Sequence, residues 1–168
     1  MGCSMNKNLI LRWITLTLIF LNMSVIFGFS AEKASSSKDT SRKVTETVLE
    51  ITIPDFSEKP ETEKKQMVKN TDSAIRTLAH FSEYALLGFL VFLHLSLYKI
   101  HKIKSASFAF AGCTLYAILD EIHQIFVPGR GFQIIDILTD ASGSLLGILI
   151  YFAILYLINK HKKEPAVN

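Results

Sequence analysis

Apolar residues form four long blocks along the chain, and polar segments separate them. The blocks are Trp13 to Phe29, Leu78 to Tyr98, Ser105 to Phe126, and Ile134 to Ile158. Each block approaches the roughly 20 residues that an α-helix needs to cross a bilayer. In lipid only helices and closed barrels satisfy the backbone hydrogen bonds, and no period-2 alternation indicates a barrel. The pattern therefore predicts an all-α integral membrane protein with four transmembrane helices.

The polar segments divide the chain into four parts. Residues 1–30 hold the first predicted span, 31–77 lie outside the membrane, 78–160 hold the other three spans, and 161–168 form a cytoplasmic tail. Within 31–77, apolar residues recur at helical spacing in two runs, which Pro54 and Pro60 separate. We expect this extracytoplasmic segment to form two short helices against the outer membrane surface. The alternative is a solvated linker of weak helicity.

Basic residues lie at those ends of the predicted spans that share one side of the membrane. They precede the first span (Lys7, Arg12), link the second to the third (Lys99, Lys102, Lys104) and follow the fourth (Lys160, Lys162, Lys163). By the positive-inside rule these regions are cytoplasmic, so both termini are inside. Because topology accounts for the net charge of +3, we expect no nucleic-acid surface.

The first span is predicted to anchor the chain, since it carries no ionisable residue after Arg12. The alternative is a cleaved signal peptide, with Lys7 and Arg12 as its basic n-region. Its cleavage site would then be Gly28-Phe29-Ser30. The sequence leaves both interpretations open.

Ionisable and amide side chains occur at the outer ends of the last three predicted spans. His80 and Glu83 open the second span and share one helical face. The third span ends in Asp120, Glu121, His123 and Gln124, the following turn carries Arg130, and the fourth span opens with Asp136 and Asp140. Polar side chains within a membrane are costly and mark a functional site by default. We therefore expect these residues to converge on one site at the outer leaflet.

The alternative to a functional site is a structural network. Arg130 paired with Asp120 or Asp136, for example, would only fasten the helices together. Such buried networks are a poor device for stability, because desolvation of the charges can outweigh the energy of pairing. Asp136 alone would also suit the N-terminal dipole of its helix. We favour the functional interpretation.

Small residues predict where neighbouring helices approach closely. Gly143 and Gly147 have the small-xxx-small spacing of helix contacts in membranes. In the third span Ala109, Gly112 and Cys113 lie on the stripe that leads to its polar end. We expect both stripes to face a neighbouring helix, so that the polar ends point into the bundle.

Several motifs lie at these polar ends and carry a family resemblance. They are Phe29-Ser30, Ala79-His80-Phe81-Ser82-Glu83-Tyr84-Ala85-Leu86-Leu87-Gly88, Asp120-Glu121-Ile122-His123-Gln124 with Phe126, Pro128-Gly129-Arg130, and Asp136 with Asp140. Together they resemble the VanZ-like family of small bacterial membrane proteins, with 78–160 as the VanZ-like three-helix core. The resemblance implies a multi-pass protein of the bacterial plasma membrane. The founding member is associated with resistance to glycopeptide antibiotics, teicoplanin in particular, but no reaction is implied.

An enzyme acting on a lipid headgroup or a lipid-linked envelope precursor is the first functional hypothesis. His123 would be the general acid or base, with Asp120 and Glu121 as its catalytic partners. The ligand would be bound by His80, Glu83, Gln124, Arg130, Asp136 and Asp140. The guanidinium of Arg130 would hold a phosphate.

Two other hypotheses need no reaction. The protein would bind a headgroup or a lipophilic antibiotic without turnover, or it would be a proton-linked transporter. Transport is the weakest, because the ionisable residues stop at the outer half and only His94 lies nearer the cytoplasm. The residue spacing matches no dedicated metal motif. The cofactor and the oligomeric state stay open.

Overall fold

The structure of the chain is a computed structural model that describes residues 2–32 and 34–163. These residues form five α-helices, one short 3-10 helix and no strand. The helices are α1 (Gly2–Ser30), α2 (Ala34–Thr52), η1 (Phe56–Glu58), α3 (Glu61–Ser96), α4 (Lys102–Gln124) and α5 (Ile134–Lys163). The all-α prediction is confirmed. Of the predicted cytoplasmic tail, residues 164–168 lie outside the described residues.

Three of the described helices are long and apolar enough to cross a membrane. They are α1 over Lys7–Ser30, α3 over its whole length, and α5 over Ile134–Lys160. Only 22%, 28% and 22% of their most apolar windows are buried, so most of these apolar side chains face outward. Such extensive exposed apolar surface is suited to lipid and unusual in water. The chain is therefore a membrane protein.

The predicted third span corresponds to α4, which is not among these three helices. Serine, glycine and acidic residues lower its mean hydropathy, for example Ser105, Gly112 and Asp120. The helix nevertheless lies within the bundle, where it packs against α1, α3 and α5. Its buried face carries the polar residues, and Phe108, Leu115 and Leu119 are exposed on the rest of its surface.

Glycines bring α3 and α5 into backbone contact. A Cβ atom on Gly147 would overlap the carbonyl oxygen of Ala85, and one on Gly143 would overlap that of Phe81. On the other helix, a Cβ on Gly88 would overlap the Ser144 carbonyl. The prediction of a close contact at Gly143 and Gly147 is confirmed.

The corresponding prediction for α4 is correct only in part. Ala109 and Cys113 are buried, as expected of a stripe that faces other helices. Gly112 is exposed, and no heavy atom outside its own helix turn lies within 4 Å of the place of its Cβ. The stripe is narrower than its spacing indicated, since residue 112 lies about 100° around a 3.6-residue helix from residue 113.

The first helix is tied to the bundle along its length. The Tyr116 hydroxyl donates to the Met23 carbonyl at 2.8 Å, and Thr15 Oγ1 hydrogen-bonds with His94 Nδ1 at 2.8 Å. Nearer its start, the Arg12 guanidinium donates to the Leu97 carbonyl at 2.8 Å. The N-terminal end of α1 therefore lies beside the C-terminal end of α3, and His94 is hydrogen-bonded between the two helices.

The segment predicted to lie outside the membrane contains one separate helix, not two. The first run is α2, but the second is the beginning of α3, which continues without a break past residues 77 and 78. Pro54 and Pro60 separate α2 from α3 as predicted. A small core of Leu49, Phe56 and Val68 packs α2 against the first turns of α3. Nothing in the sequence ends the helix at the predicted membrane boundary.

Candidate functional site

A polar cavity of about 250 Å³ lies where α3, the end of α4, the α4–α5 loop (residues 125–133) and the start of α5 meet. It is lined by Ser73, Arg76, Thr77, His80, Glu121, Gln124, Gly129, Arg130, Gly131, Gln133, Asp136, Thr139 and Asp140. Apart from Gly129 and Gly131, every residue in this lining has a polar or ionisable side chain. We call it the polar cavity.

Two side chains hold the α4–α5 loop in place over the cavity. Glu121 is 1% exposed, and its Oε2 accepts a hydrogen bond from the Gln133 backbone N–H at 2.8 Å, directly before α5. Arg130 donates from Nε to the Glu32 carbonyl at 3.1 Å and from Nη2 to the Phe29 carbonyl at 3.0 Å. The positive charge thus lies at the C-terminal end of α1, where the helix dipole favours it.

Basic side chains cluster on one side of the polar cavity. Arg76 and Arg130 both line it, together with His80. Burial lowers the pKa of Arg130, and the neighbouring Arg76 guanidinium lowers that pKa further. Two guanidinium groups in the lining of one cavity are suited to binding an anion.

Acidic side chains also line the polar cavity. Asp136 and Asp140 are one turn apart on α5, and Asp140 is only 3% exposed. Its Oδ1 has no hydrogen-bond partner among the described residues, and neither does the buried hydroxyl of Tyr84. Asp120 and Asp140 are both close enough to Tyr84 to interact with it electrostatically. Asp120, Glu121 and Asp140 are therefore buried carboxyl groups, and Glu121, Asp136 and Asp140 line the cavity.

A second cavity, of about 240 Å³, lies next to the first and beneath α2. Its surface is mostly apolar, from Phe29 of α1, Val44 of α2, and Ile75 and Ala79 of α3. The other lining residues are Glu32, Ser41, Arg76, His80, Glu83 and Arg130. We call it the apolar cavity.

Most of the residues predicted for the site lie around these two cavities. Those that line the polar cavity are His80, Glu121, Gln124, Arg130, Asp136 and Asp140. Glu83 lines the apolar cavity, with its Oε2 3.9 Å from His80 Nδ1. Asp120 is 4% exposed and lines neither cavity; Gln124 Nε2 donates to its Oδ2 at 3.4 Å, and Ser30 lies against it.

His123 is the predicted site residue that lies apart from the others. Its ring packs on Phe27 of α1, with 4.7 Å between the ring centroids. Its Nε2 is buried and has no hydrogen-bond partner among the described residues. His123 lines neither cavity, so His80 is the histidine that reaches the polar cavity.

Arg76 is the most important lining residue that the sequence analysis did not identify. It lies in the segment assigned to the exterior, so its charge needed no explanation there. The signal was nevertheless present, because Ser73, Arg76, Thr77 and His80 recur at the spacing of one helical face. That signal required α3 to be recognised as one continuous helix.

No group of three or more histidine, cysteine, aspartate or glutamate residues in the described parts of the chain is arranged to hold a metal ion. No curated protein and no solved structure matches the chain at a significant level. The family model described as VanZ/LLP1 matches residues 15–156, which include the whole of α3 and α4, parts of α1 and α5, and every residue that lines the polar cavity. The chain therefore belongs to the VanZ/LLP1 family.

Proposed function

We propose that α1, α3, α4 and α5 all cross the membrane, with both termini inside and the polar cavity at the outer leaflet. The contact of Arg12 with Leu97 supports this topology, because it brings the basic start of α1 to the lysine-rich link between α3 and α4. Both lie at the opposite end of the bundle from the cavity. The positive-inside rule then favours a cytoplasmic position for that end.

In this position the polar cavity is a binding site for the headgroup of a membrane lipid or a lipid-linked envelope precursor. The observation that carries this proposal is the meeting of Arg76, His80 and Arg130 in one polar cavity, at the end of helices with apolar outer surfaces. Arginine is the residue best suited to bind phosphate groups in two-point contact. The protein would act in envelope processes of the bacterial plasma membrane, including low-level resistance to glycopeptides such as teicoplanin.

The size of the cavity supports a headgroup rather than an antibiotic as the ligand. Sites that enclose a drug-sized molecule usually measure about 300 to 1,000 Å³. The polar cavity, at about 250 Å³, lies below that range, and a glycopeptide antibiotic is larger than most drugs. Sequestration of a whole antibiotic is therefore not favoured. Protection would instead come through the envelope lipid that the cavity binds.

Arg76→Gln is expected to abolish protection of a teicoplanin-sensitive Gram-positive host that gains protection from the wild-type protein. The substitution removes one of the two guanidinium groups at the cavity. The measurement is the minimal inhibitory concentration at matched membrane levels. Lys69→Gln is the matched control, because Lys69 is exposed on the same helix and lines neither cavity. Full protection by Arg76→Gln would refute the role of the cavity, and a wild type without effect would remove the antibiotic role.

A membrane-embedded enzyme is the second candidate, and the lining of the polar cavity favours it. His80 and three carboxyl side chains, those of Glu121, Asp136 and Asp140, face the same space as the arginines. General acid–base catalysis needs such groups within reach of a bound phosphate ester or glycoside. Asp140 is the strongest candidate, because it lines the cavity and has a buried oxygen with no hydrogen-bond partner in the part of the chain that the structure describes.

If the protein is an enzyme, Asp140→Asn should lower turnover by about 100-fold or more, because proton transfer by a positioned side chain contributes roughly that factor. Headgroup binding should survive, since asparagine has nearly the same shape as aspartate. The measurement is release of water-soluble phosphate ester from radiolabelled envelope lipids by the reconstituted protein. Asp55→Asn is the matched control on an exposed turn. An inert wild type, or an Asp140→Asn protein of full activity, would exclude this candidate.

A further inference from the structure

The polar and the apolar cavity are neighbours with a common wall. The residues that line both are Arg76, His80 and Arg130. All three are basic. On one side of this wall the lining is hydrogen-bonding and acidic, and on the other it is largely hydrocarbon. The molecule therefore presents three chemical environments in a row: polar, cationic and apolar.

In a phosphate amphiphile, a phosphate group links a polar head to a hydrocarbon chain. The three environments of the protein follow the same order. We propose that the two cavities form one binding site for such a molecule. The phosphate lies at the basic wall of Arg76, His80 and Arg130, the head enters the polar cavity, and the first part of the chain enters the apolar cavity beneath α2. The inference rests on the proposed function and adds the position of the phosphate and of the chain.

The dimensions agree with a single site in two compartments. The cavities measure about 250 and 240 Å³, and each is below the roughly 300 Å³ at which ligand sites usually begin. The combined volume of the two cavities falls within the usual range for ligand sites. The chain need not be enclosed completely, because Phe29 and Val44, on the wall of the apolar cavity, are 48% and 50% exposed. A longer chain would leave past these side chains.

The charges of the lining residues favour a phosphate position at the wall between the two cavities, and not inside either cavity. Arg76 and Arg130 are the two guanidinium groups of this wall, and a phosphate between them would accept charge-assisted hydrogen bonds. The deeper polar cavity carries Glu121, Asp136 and Asp140, which repel an anion but accept hydrogen bonds from hydroxyl or ammonium groups. The expected head is therefore a polyol, a sugar or an amine.

The experiment titrates three probes into the full-length protein, purified in a steroid-based detergent that lacks alkyl chains. Decyl phosphate carries a phosphate and a straight chain, geranyl phosphate carries an isoprenoid chain, and glycerol 3-phosphate carries a head without a chain. Ala79→Phe fills the apolar cavity, and Ala74→Phe, exposed on the same helix outside both linings, is its control. Calorimetry below the micellar concentration gives each affinity.

We expect decyl or geranyl phosphate to bind wild type at least tenfold more tightly than glycerol 3-phosphate. Ala79→Phe should remove this advantage and leave glycerol 3-phosphate unchanged, while Arg76→Gln should weaken every probe at least tenfold. A preference for one chain identifies the source as an acyl or an isoprenoid lipid. Equal binding with and without a chain, or no effect of Ala79→Phe, overturns the inference but leaves headgroup binding intact. Failure of glycerol 3-phosphate to bind, or its indifference to Arg76→Gln, overturns headgroup binding itself.

Discussion

Gly147→Leu is expected to prevent the helix bundle from assembling. The backbones of α3 and α5 touch at this position, so any side chain would occupy the space of the Ala85 carbonyl and of the Phe89 backbone nitrogen. Overpacking a core typically costs about 1–3 kcal/mol, and the cost rises where the obstacle is backbone that cannot rotate away. Because native proteins are stable by only about 5–15 kcal/mol, separating these helices should leave little folded protein.

Thiol reactivity of Cys113 provides the measurement for Gly147→Leu. Cys113 is 2% exposed, and Cys3 is the only other cysteine, so a Cys3→Ser background leaves a single buried reporter. The folded protein should react slowly with a fluorescent maleimide. The Gly147→Leu protein should react as fast as the denatured chain. Gly112→Leu is the matched control, because among the described residues no heavy atom outside its own helix turn lies within 4 Å of the place of its Cβ. A Gly147→Leu protein that melts like wild type would mean that the close contact is not essential.

The helices were predictable from the sequence because lipid imposes simple rules on composition. An uninterrupted apolar block of sufficient length favours a helix in a membrane. Gly143 and Gly147 predicted a close helix contact, and the structure shows that the partner is α3. Helix ends were harder to predict. Pro54 and Pro60 fixed the start of α3, but the sequence changes from polar to apolar near residue 78 without any residue that stops a helix. The change in polarity therefore predicted a helix end near residue 78, where the backbone of α3 continues without a break.

The site was predictable in its location but not in the direction of each side chain. Asp120, Glu121 and Gln124 point into the bundle, as expected, whereas His123 packs against Phe27 of the neighbouring helix. A single helical turn carries all four residues, so spacing alone cannot divide them between two neighbours. The division depends on how α1 packs against α4, a tertiary contact that leaves no pattern in the sequence.

The same tertiary contacts bear on whether α1 is retained or cleaved. Thr15, Met23 and Phe29 all take part in hydrogen bonds with other helices or loops, at three levels of α1. A signal peptide that leaves the chain would take these partners with it and expose the Phe29 side of the apolar cavity. The packing therefore favours α1 as a permanent part of the bundle, which leads to the last expected result.

Arg130→Ala is expected to loosen α1 and to abolish ligand binding together. The guanidinium makes two hydrogen bonds to carbonyl oxygens at the end of α1, those of Phe29 and Glu32, and it also lines both cavities. Hydrogen bonds to charged groups contribute about 1.5–3 kcal/mol when buried. Since these are partly exposed, we expect a loss of about 2 kcal/mol and a fall in Tm of roughly 4–8 °C. The Cys113 assay measures the first effect and calorimetry with decyl phosphate the second.

Two further variants separate the roles of Arg130. Tyr116→Phe removes a hydrogen bond to α1 at the Met23 carbonyl, and because Tyr116 lines neither cavity, it should lower Tm without weakening the ligand. Arg130→Lys keeps the charge but not the planar fork, so it should retain part of the binding and lose most of the α1 anchoring. If Arg130→Ala melted like wild type, the loop would not anchor α1. If it melted early but bound decyl phosphate with full affinity, Arg130 would be a structural residue and the phosphate would rest on Arg76 and His80.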